Sequence, residues 1–143
     1  MGYRSDVRII TSKKGYERLQ KHVEKYIKDK KVDYNLLENA DLRFVSNKGV
    51  LIGWNCVKWY EWSDYHDVDS IMNGLEKLEE ENYSYRYARI GENYDDIDEM
   101  YYDSTKEDED IPYIDIARGF YDSDMEDKLQ EKKNKKQDKG VEI

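Results

Sequence analysis

Carboxylates supply the most unusual spacing in this chain. Asp95, Asp96, Asp98 and Glu99 put four acids in five residues, Asp103 follows, and Glu107, Asp108, Glu109 and Asp110 come in succession. Asp122, Asp124, Glu126 and Asp127 close the series. An extended chain rises about 3.3 Å per residue, and one strand of DNA carries a charge per about 3.4 Å. The linear charge densities match, so a protein built to grip phosphates meets a similar field here. Tyr94, Tyr101, Tyr102, Tyr113 and Tyr121 are interleaved, and tyrosine is a residue that protein interfaces favour. The nine acids from Asp95 to Asp110 are therefore the candidate partner-binding residues. The plainer reading of such a run is a solvated loop.

A second constellation lies just upstream. Tyr83, Tyr85 and Tyr87 alternate along a predicted strand, with Arg86 and Arg89 beside them and Trp54 and Trp59 available from a hairpin. Aromatics on such strands stack bases in single-stranded RNA readers, but the Gly/aromatic sequence of that module is absent. A small nucleotide held between an aromatic ring and an Arg is the reading this pattern allows. Its plainer rival is tyrosines packed beneath helices.

Other chemistry finds little support. Carboxylates take hard cations, but no EF-hand loop fits: Asp67 and Asp69 have the first two spacings, Ile71 holds the third ligand position and Gly74 is misplaced. Cys56, His22 and His66 are too scattered for a zinc site or a nucleophile pair. Cys56, within a predicted strand, reads as a small core residue. No phosphate-cradling Gly loop or Ser nucleophile is recognisable. No cofactor, no metal and no enzymatic activity are expected.

Composition narrows the class. The chain has 143 residues, a formal charge of −9, 38% hydrophobic and 40% charged residues, 14 Tyr, one Cys and one Pro. One Cys excludes an internal disulfide framework. No apolar run approaches the roughly 18 residues of a membrane span. Met1-Gly2 resembles a myristoylation start, but Asp6 stands where Ser or Thr is needed. A cytoplasmic protein is expected. Charge is segregated: residues 1–58 carry a net +6, residues 59–131 a net −18 and residues 132–143 a net +3. Such asymmetry speaks of partners more than of fold.

The elements that must position these residues follow from periodicity. Val7 to Thr11 predicts a strand, and Ser12 caps a helix over 13–29 whose Tyr16, Leu19, Val23, Tyr26 and Ile27 share a stripe. Leu36 and Leu37 fall in a short polar stretch, read as a turn of helix or a loop. Runs over 42–46 and 50–60, joined by Asn47-Lys48-Gly49, predict a hairpin. Asp67, Asp69 or Ser70 caps a second helix with Ile71, Leu75 and Leu78. Strands are predicted over 82–91, 97–102 and 111–118, and Ser123 with Glu126 opens a short helix bearing Met125 and Leu129. The order strand, helix, strand, strand, helix, strand predicts an α+β, ferredoxin-like split β-α-β antiparallel sheet with two helices on one face, extended by C-terminal strands and a short helix. We expect a single domain over 1–121 with an acidic C-terminal extension, then a helix and Lys-rich tail over 122–143.

The opening Met1-Gly2-Tyr3-Arg4-Ser5-Asp6-Val7 and the later Arg89-Ile90-Gly91-Glu92 with Asp95-Asp96-Ile97 resemble a family of small phage and prophage proteins. Its members open M-G-Y-R-S-[DE]-V and carry R-I-G-E-x-x-D-D-I ahead of an acidic stretch. The resemblance covers most of residues 1–100 and brings no catalytic or binding residues with it. It implies an accessory phage gene in an AT-rich genome. Small acidic phage proteins are often inhibitors of host defence, anti-CRISPR and anti-restriction DNA mimics among them, a step that is analogy alone.

The expected function is inhibition of a host nucleic-acid-binding protein or nuclease complex, with the acidic 92–127 segment in a Lys/Arg-lined groove. Complementary charge makes such binding fast and salt-sensitive. Neither direct nucleic-acid binding nor a membrane is expected, and a homo-oligomer stays open. The alternative is a sponge for a nucleotide second messenger, with a pocket built from Tyr83, Tyr85, Tyr87, Arg86 and Arg89. A third reading, a plain interaction module, requires an exposed apolar patch.

Overall fold

Val7, Ile9 and Ile10 lie fully buried in the first strand, β1 (Ser5–Thr11), which occupies the middle of the sheet. In this computed structural model the described residues are 3–59, 66–116, 120 and 122–130. The Ser12 hydroxyl accepts the Gly15 N–H at 2.9 Å and starts α1 (Lys13–Lys30), satisfying one of the free donors of the first turn. Lys31, in the left-handed region at φ 56°, ends the helix, and Lys28 and Lys30 sit at the negative end of its dipole.

Leu42–Ser46 (β2) and Gly49–Val57 (β3) form the predicted hairpin. Next come α2 (His66–Glu80), β4 (Tyr85–Ile90), β5 (Ile97–Tyr102) and α3 (Asp122–Leu129). The α2 helix begins ahead of its three predicted caps, so Asp67, Asp69 and Ser70 all fall within it. The fold is α+β: among the described residues a five-stranded sheet in the order β2-β3-β1-β4-β5, antiparallel throughout, is accompanied by three helices. No helix among the described residues is long and apolar enough to cross a membrane.

Strand alternation sends the two halves of each strand to different cores. Val7, Ile9, Val50, Ile52, Trp54, Tyr85 and Tyr87 face Leu19 and Val23 of α1 and Ile71, Leu75 and Leu78 of α2. On the other face Ile10 and Leu51 meet Ile111, Met125 and Leu129, with Leu42, Phe44, Ile114 and Phe120 at the margin. The short helix after residue 121 thus shares a core with the central strands.

Three expectations are corrected, those on the 111–118 strand, on Cys56 and on the availability of the two tryptophans. The predicted strand over 111–118 does not form: residues 111–115 are irregular, and an isolated bridge joins Ile116 to Phe120. Ile111 is buried on the sheet face and gives its carbonyl to the Arg86 guanidinium (3.3 Å), so the segment crosses the sheet instead of extending it. Residues 117–119 lie outside the described part. Cys56 is exposed, not a core residue. The β1–β3 register shifts between Ser5 and Val7, and Cys56 adopts φ 55° there while its N–H is taken by the Asp6 carboxylate at 2.8 Å. The extra residue of such a bulge turns its side chain off the alternation. Leu36 and Leu37 belong to the main core in spite of their polar surroundings. Trp54 and Trp59 are buried there too, 5.1 Å apart, and the Trp54 indole donates to the Leu36 carbonyl at 3.0 Å.

Candidate functional site

The nine candidate carboxylates do not act alike. Arg89, at the end of β4, gathers two of them: Nη2 reaches Asp96 Oδ1 at 2.7 Å and Asp98 Oδ2 at 2.6 Å. Its Nη1 also donates to the Ser5 hydroxyl at 3.0 Å. The Tyr3 hydroxyl donates to Asp96 as well. Hydrogen bonding to Asp96, then to Asp98, holds the Arg89 guanidinium above its ordinary pKa against the opposing effect of burial. This cluster fastens the β4–β5 connection, where the Gly91 N–H donates to the Asp96 carbonyl at 2.8 Å.

At the other end of β5 a second arginine does similar work. Arg86 is 3% exposed and projects from the face opposite the main core. Its guanidinium donates to the carbonyls of Tyr85 (3.0 Å), Tyr102 (3.2 Å) and Ile111 (3.3 Å) and pairs with Asp103 at 2.6 Å. The Tyr113 ring lies 4.1 Å from it and the Tyr101 ring 5.8 Å, within cation–π range. Glu109, 5% exposed, accepts the Ser84 backbone N–H at 2.7 Å. The intervening loop is stitched to the end of α2. Asn82 Nδ2 donates to Thr105 Oγ1 at 2.8 Å, and the Ser104 N–H donates to the Ser84 hydroxyl at 2.8 Å.

Asp96, Asp98, Asp103 and Glu109 therefore fasten the fold. Asp95, Glu99, Glu107, Asp108 and Asp110 are exposed, and no salt bridge among the described residues involves them. The uniform linear density expected from sequence is broken in two ways. Asp98 pairs across from Arg89 on the helix-bearing face while Glu99, opposite Ala88, points to the other. The remaining acids sit at the two ends of a strand about 20 Å long. Asp115 pairs with Lys128 and Asp122 with Arg8, so the later acids are partly spent on the fold as well.

Beside the exposed acids stands a feature that sequence reasoning did not single out as a surface. Among the described residues the large exposed apolar side chains are Tyr34, Val45, Tyr94, Ile97, Met100, Tyr101 and Tyr113, and five of these seven belong to residues 94–113. Tyr101 and Tyr113 meet edge to face at 6.0 Å.

The tyrosine strand forms over Tyr85–Ile90, shorter than predicted and without Tyr83, with Tyr85 and Tyr87 on one face and Arg86 on the other. That alternation prevents the proposed ligand site from converging. Tyr85 and Tyr87 are buried beneath the helices, and burial pushes the Tyr85 hydroxyl up to about 12. Tyr87 stacks toward Trp59 at 6.4 Å, and Tyr83 lies under the Lys106 ammonium at 3.8 Å. Arg86 and Arg89 are already occupied. A hollow of about 420 Å³ does contain Arg86 and Tyr113, but Asp103, Glu107, Asp108 and Asp110 line it too, an unfavourable wall for a phosphate. Another of about 890 Å³ is ringed by Lys13, Lys14, Lys48 and Lys128 with Asp108 and Asp110, and has no aromatic lining. Among the described residues no group of His, Cys, Asp and Glu has the geometry of a metal site.

Comparison with family models, with curated proteins and with solved structures finds no match to this chain.

Proposed function

We propose that the chain is a non-enzymatic binding protein of phage origin. Its strand order reads as a ferredoxin-like frame with β5 added outside the fourth strand. The acidic, tyrosine-studded edge of that frame docks on a basic, nucleic-acid-binding surface of a host protein and excludes the nucleic acid. The mechanism is steric and electrostatic, with no bond made or broken. One observation carries the reading: exposed Tyr94, Ile97, Met100, Tyr101 and Tyr113 share residues 94–113 with five carboxylates that form no described salt bridge. Of these, Tyr101 and Tyr113 pack edge to face, and apolar side chains exposed together are a mark of interfaces. The acids around them select a basic partner and speed its approach. The surface acts through a tyrosine core with an acidic rim more than through a continuous imitation of a DNA strand.

The test is displacement of DNA from purified host nucleases and other DNA-binding proteins in a mobility-shift competition. The wild-type protein displaces DNA at low salt and loses potency as salt rises. A variant with D95N, E99Q, E107Q, D108N and D110N keeps its fold, because these side chains make no described ion pair, and displaces DNA at least about ten-fold less well. Displacement that persists unchanged at high salt, or in the neutralised variant, defeats this mechanism.

A further inference from the structure

The outer side of β5 deepens this reading, on whose acidic edge the next step rests. We propose that β5 receives an extended, basic segment of the partner as a sixth, hydrogen-bonded strand. β5 is the last strand of the sheet. Since the Gly91 N–H donates to the Asp96 carbonyl, ladder alternation places Glu99 and Tyr101 at positions whose own N–H and C=O groups turn away from β4. Among the described residues no hydrogen bond outside the sheet reaches the backbone of either residue.

Edge strands are ordinarily blunted by charged side chains, Lys above all, or by Pro, a bulge or a cover, and the charges on β5, Asp98 and Glu99, are acidic and turn away another acidic strand but not a basic one. β5 has neither Lys nor Pro, and its register against β4 runs from Ile97 to Tyr102 without a shift. Met100 is exposed on the helix-bearing side, and Ile97 and Tyr101 on the other. Asp98 and Glu99 lie between them, one on each face. A partner strand laid along this edge finds Met100 beside the Arg89-paired Asp98 on one side, and Glu99, in no salt bridge among the described residues, between Ile97 and Tyr101 on the other. That pattern suits alternating basic and apolar residues, and backbone pairing supplies affinity while side chains supply selectivity. A second copy of β5 fits poorly. Antiparallel pairing of two such strands crowds the Asp98 and Glu99 carboxylates of both chains along one seam, and like charges across a strand pair repel.

The probe is a capped peptide of alternating Lys and Val, about eight residues long, titrated into the full chain at low salt. Binding is read by fluorescence anisotropy and by amide hydrogen exchange. We expect slowed exchange at the Glu99 and Tyr101 amides. We also expect binding at least about ten-fold weaker in Tyr101→Pro, which removes an outward donor, but not in Tyr101→Val, which keeps it. Proline is tolerated where the N–H of an edge strand faces solvent. Should Tyr101→Pro fail to fold, hydrogen exchange on the wild-type protein decides alone. Binding without protection of those amides overturns strand addition but leaves the acidic docking surface standing. Concentration-dependent protection of the same amides without peptide overturns it in favour of self-association. Absence of binding at low salt also overturns it, and failure of the displacement assay would then remove the underlying function as well.

Discussion

The two faces of the sheet are held down by different chemistry. Beneath α1 and α2 the contact is almost wholly apolar: Val7, Ile9, Leu19, Ile52, Trp54, Ile71, Leu75 and Leu78 are each at most 1% exposed. On the opposite face the apolar core shrinks to Ile10, Leu51, Ile111, Met125 and Leu129, and buried guanidiniums flank it. Arg8 donates to the Val7 and Trp54 carbonyls and to Asn55, pairs with Asp122 at 2.9 Å and lies 4.8 Å from the Phe120 ring. Arg86 plays the corresponding part toward β5 and the 103–113 segment. Apolar burial is non-directional and tolerates many partners, whereas a guanidinium fixes where each carbonyl and carboxylate must sit. The difference explains how an irregular, acid-rich chain keeps a defined path across a sheet. It also shows why many of its acids are unavailable to a partner.

Truncation experiments should separate the two faces. Trp54→Ala is the largest expected loss, about 3–5 kcal/mol of unfolding free energy, because it empties the centre of the helix-covered core and leaves the Leu36 carbonyl without its donor. Global denaturant unfolding measures it; a loss below about 1 kcal/mol would mean that this face is not the main source of stability. Arg86→Met comes next, at about 2–3 kcal/mol, since buried carbonyls lose a charged donor while Asp103, half-exposed, is taken up by water. Its signature is local: hydrogen exchange and proteolysis should accelerate over residues 103–116 well before the helix-covered face opens. If both faces loosen together, the division is mistaken.

The same contrast governs what could be read in advance. Apolar periodicity is a strong signal, so β1, α1, the hairpin, α2, β4 and β5 were legible, and Ser12 was recognisable as a cap. Charge runs carry no label that distinguishes a structural acid from a free one. Asp96 and Asp98 differ from Asp95 because Arg89 projects from the neighbouring strand in register with Asp98. That depends on which strands pair, not on spacing within 95–99. The tyrosines and Arg86 stand apart for a related reason. Period two correctly separated Tyr85 and Tyr87 from Arg86, but separation onto opposite faces is what keeps them from meeting a common ligand. Ile111 misled the strand prediction because its burial arises from crossing the sheet, with its carbonyl fixed by Arg86. Cys56 escaped the pattern through a single bulge.

A charged fastening joins the two helices at the rim of the helix-covered face, and it yields the smallest expected effect. Just past the end of α2, Glu81 accepts from Arg18 Nη2 at 3.0 Å and lies 3.0 Å from His22 Nε2, joining the two helices. Hydrogen bonding to Arg18, with His22 assisting against the opposing effect of burial, lowers the Glu81 carboxyl from 4.5 to about 2. A carboxyl with a depressed folded-state pKa stabilises the native state fully above its unfolded value, and that stabilisation drains away as pH falls toward the folded value. The window is therefore from about 4.5 down to about 2. Glu81→Gln should leave stability near neutrality little changed, because the pair is partly exposed and screened by solvent, and flatten the fall in stability within that window. The acid-unfolding midpoint should move by on the order of a few tenths of a pH unit. Arg18→Gln should reproduce most of the shift, its hydrogen bond being the leading cause. Asp98→Asn, at the opposite sheet edge, should leave the Glu81-dependent part of the profile unchanged. An acid profile identical in Glu81→Gln and wild type would show that the helix pair is held by its apolar contact alone, making the two faces still more unlike.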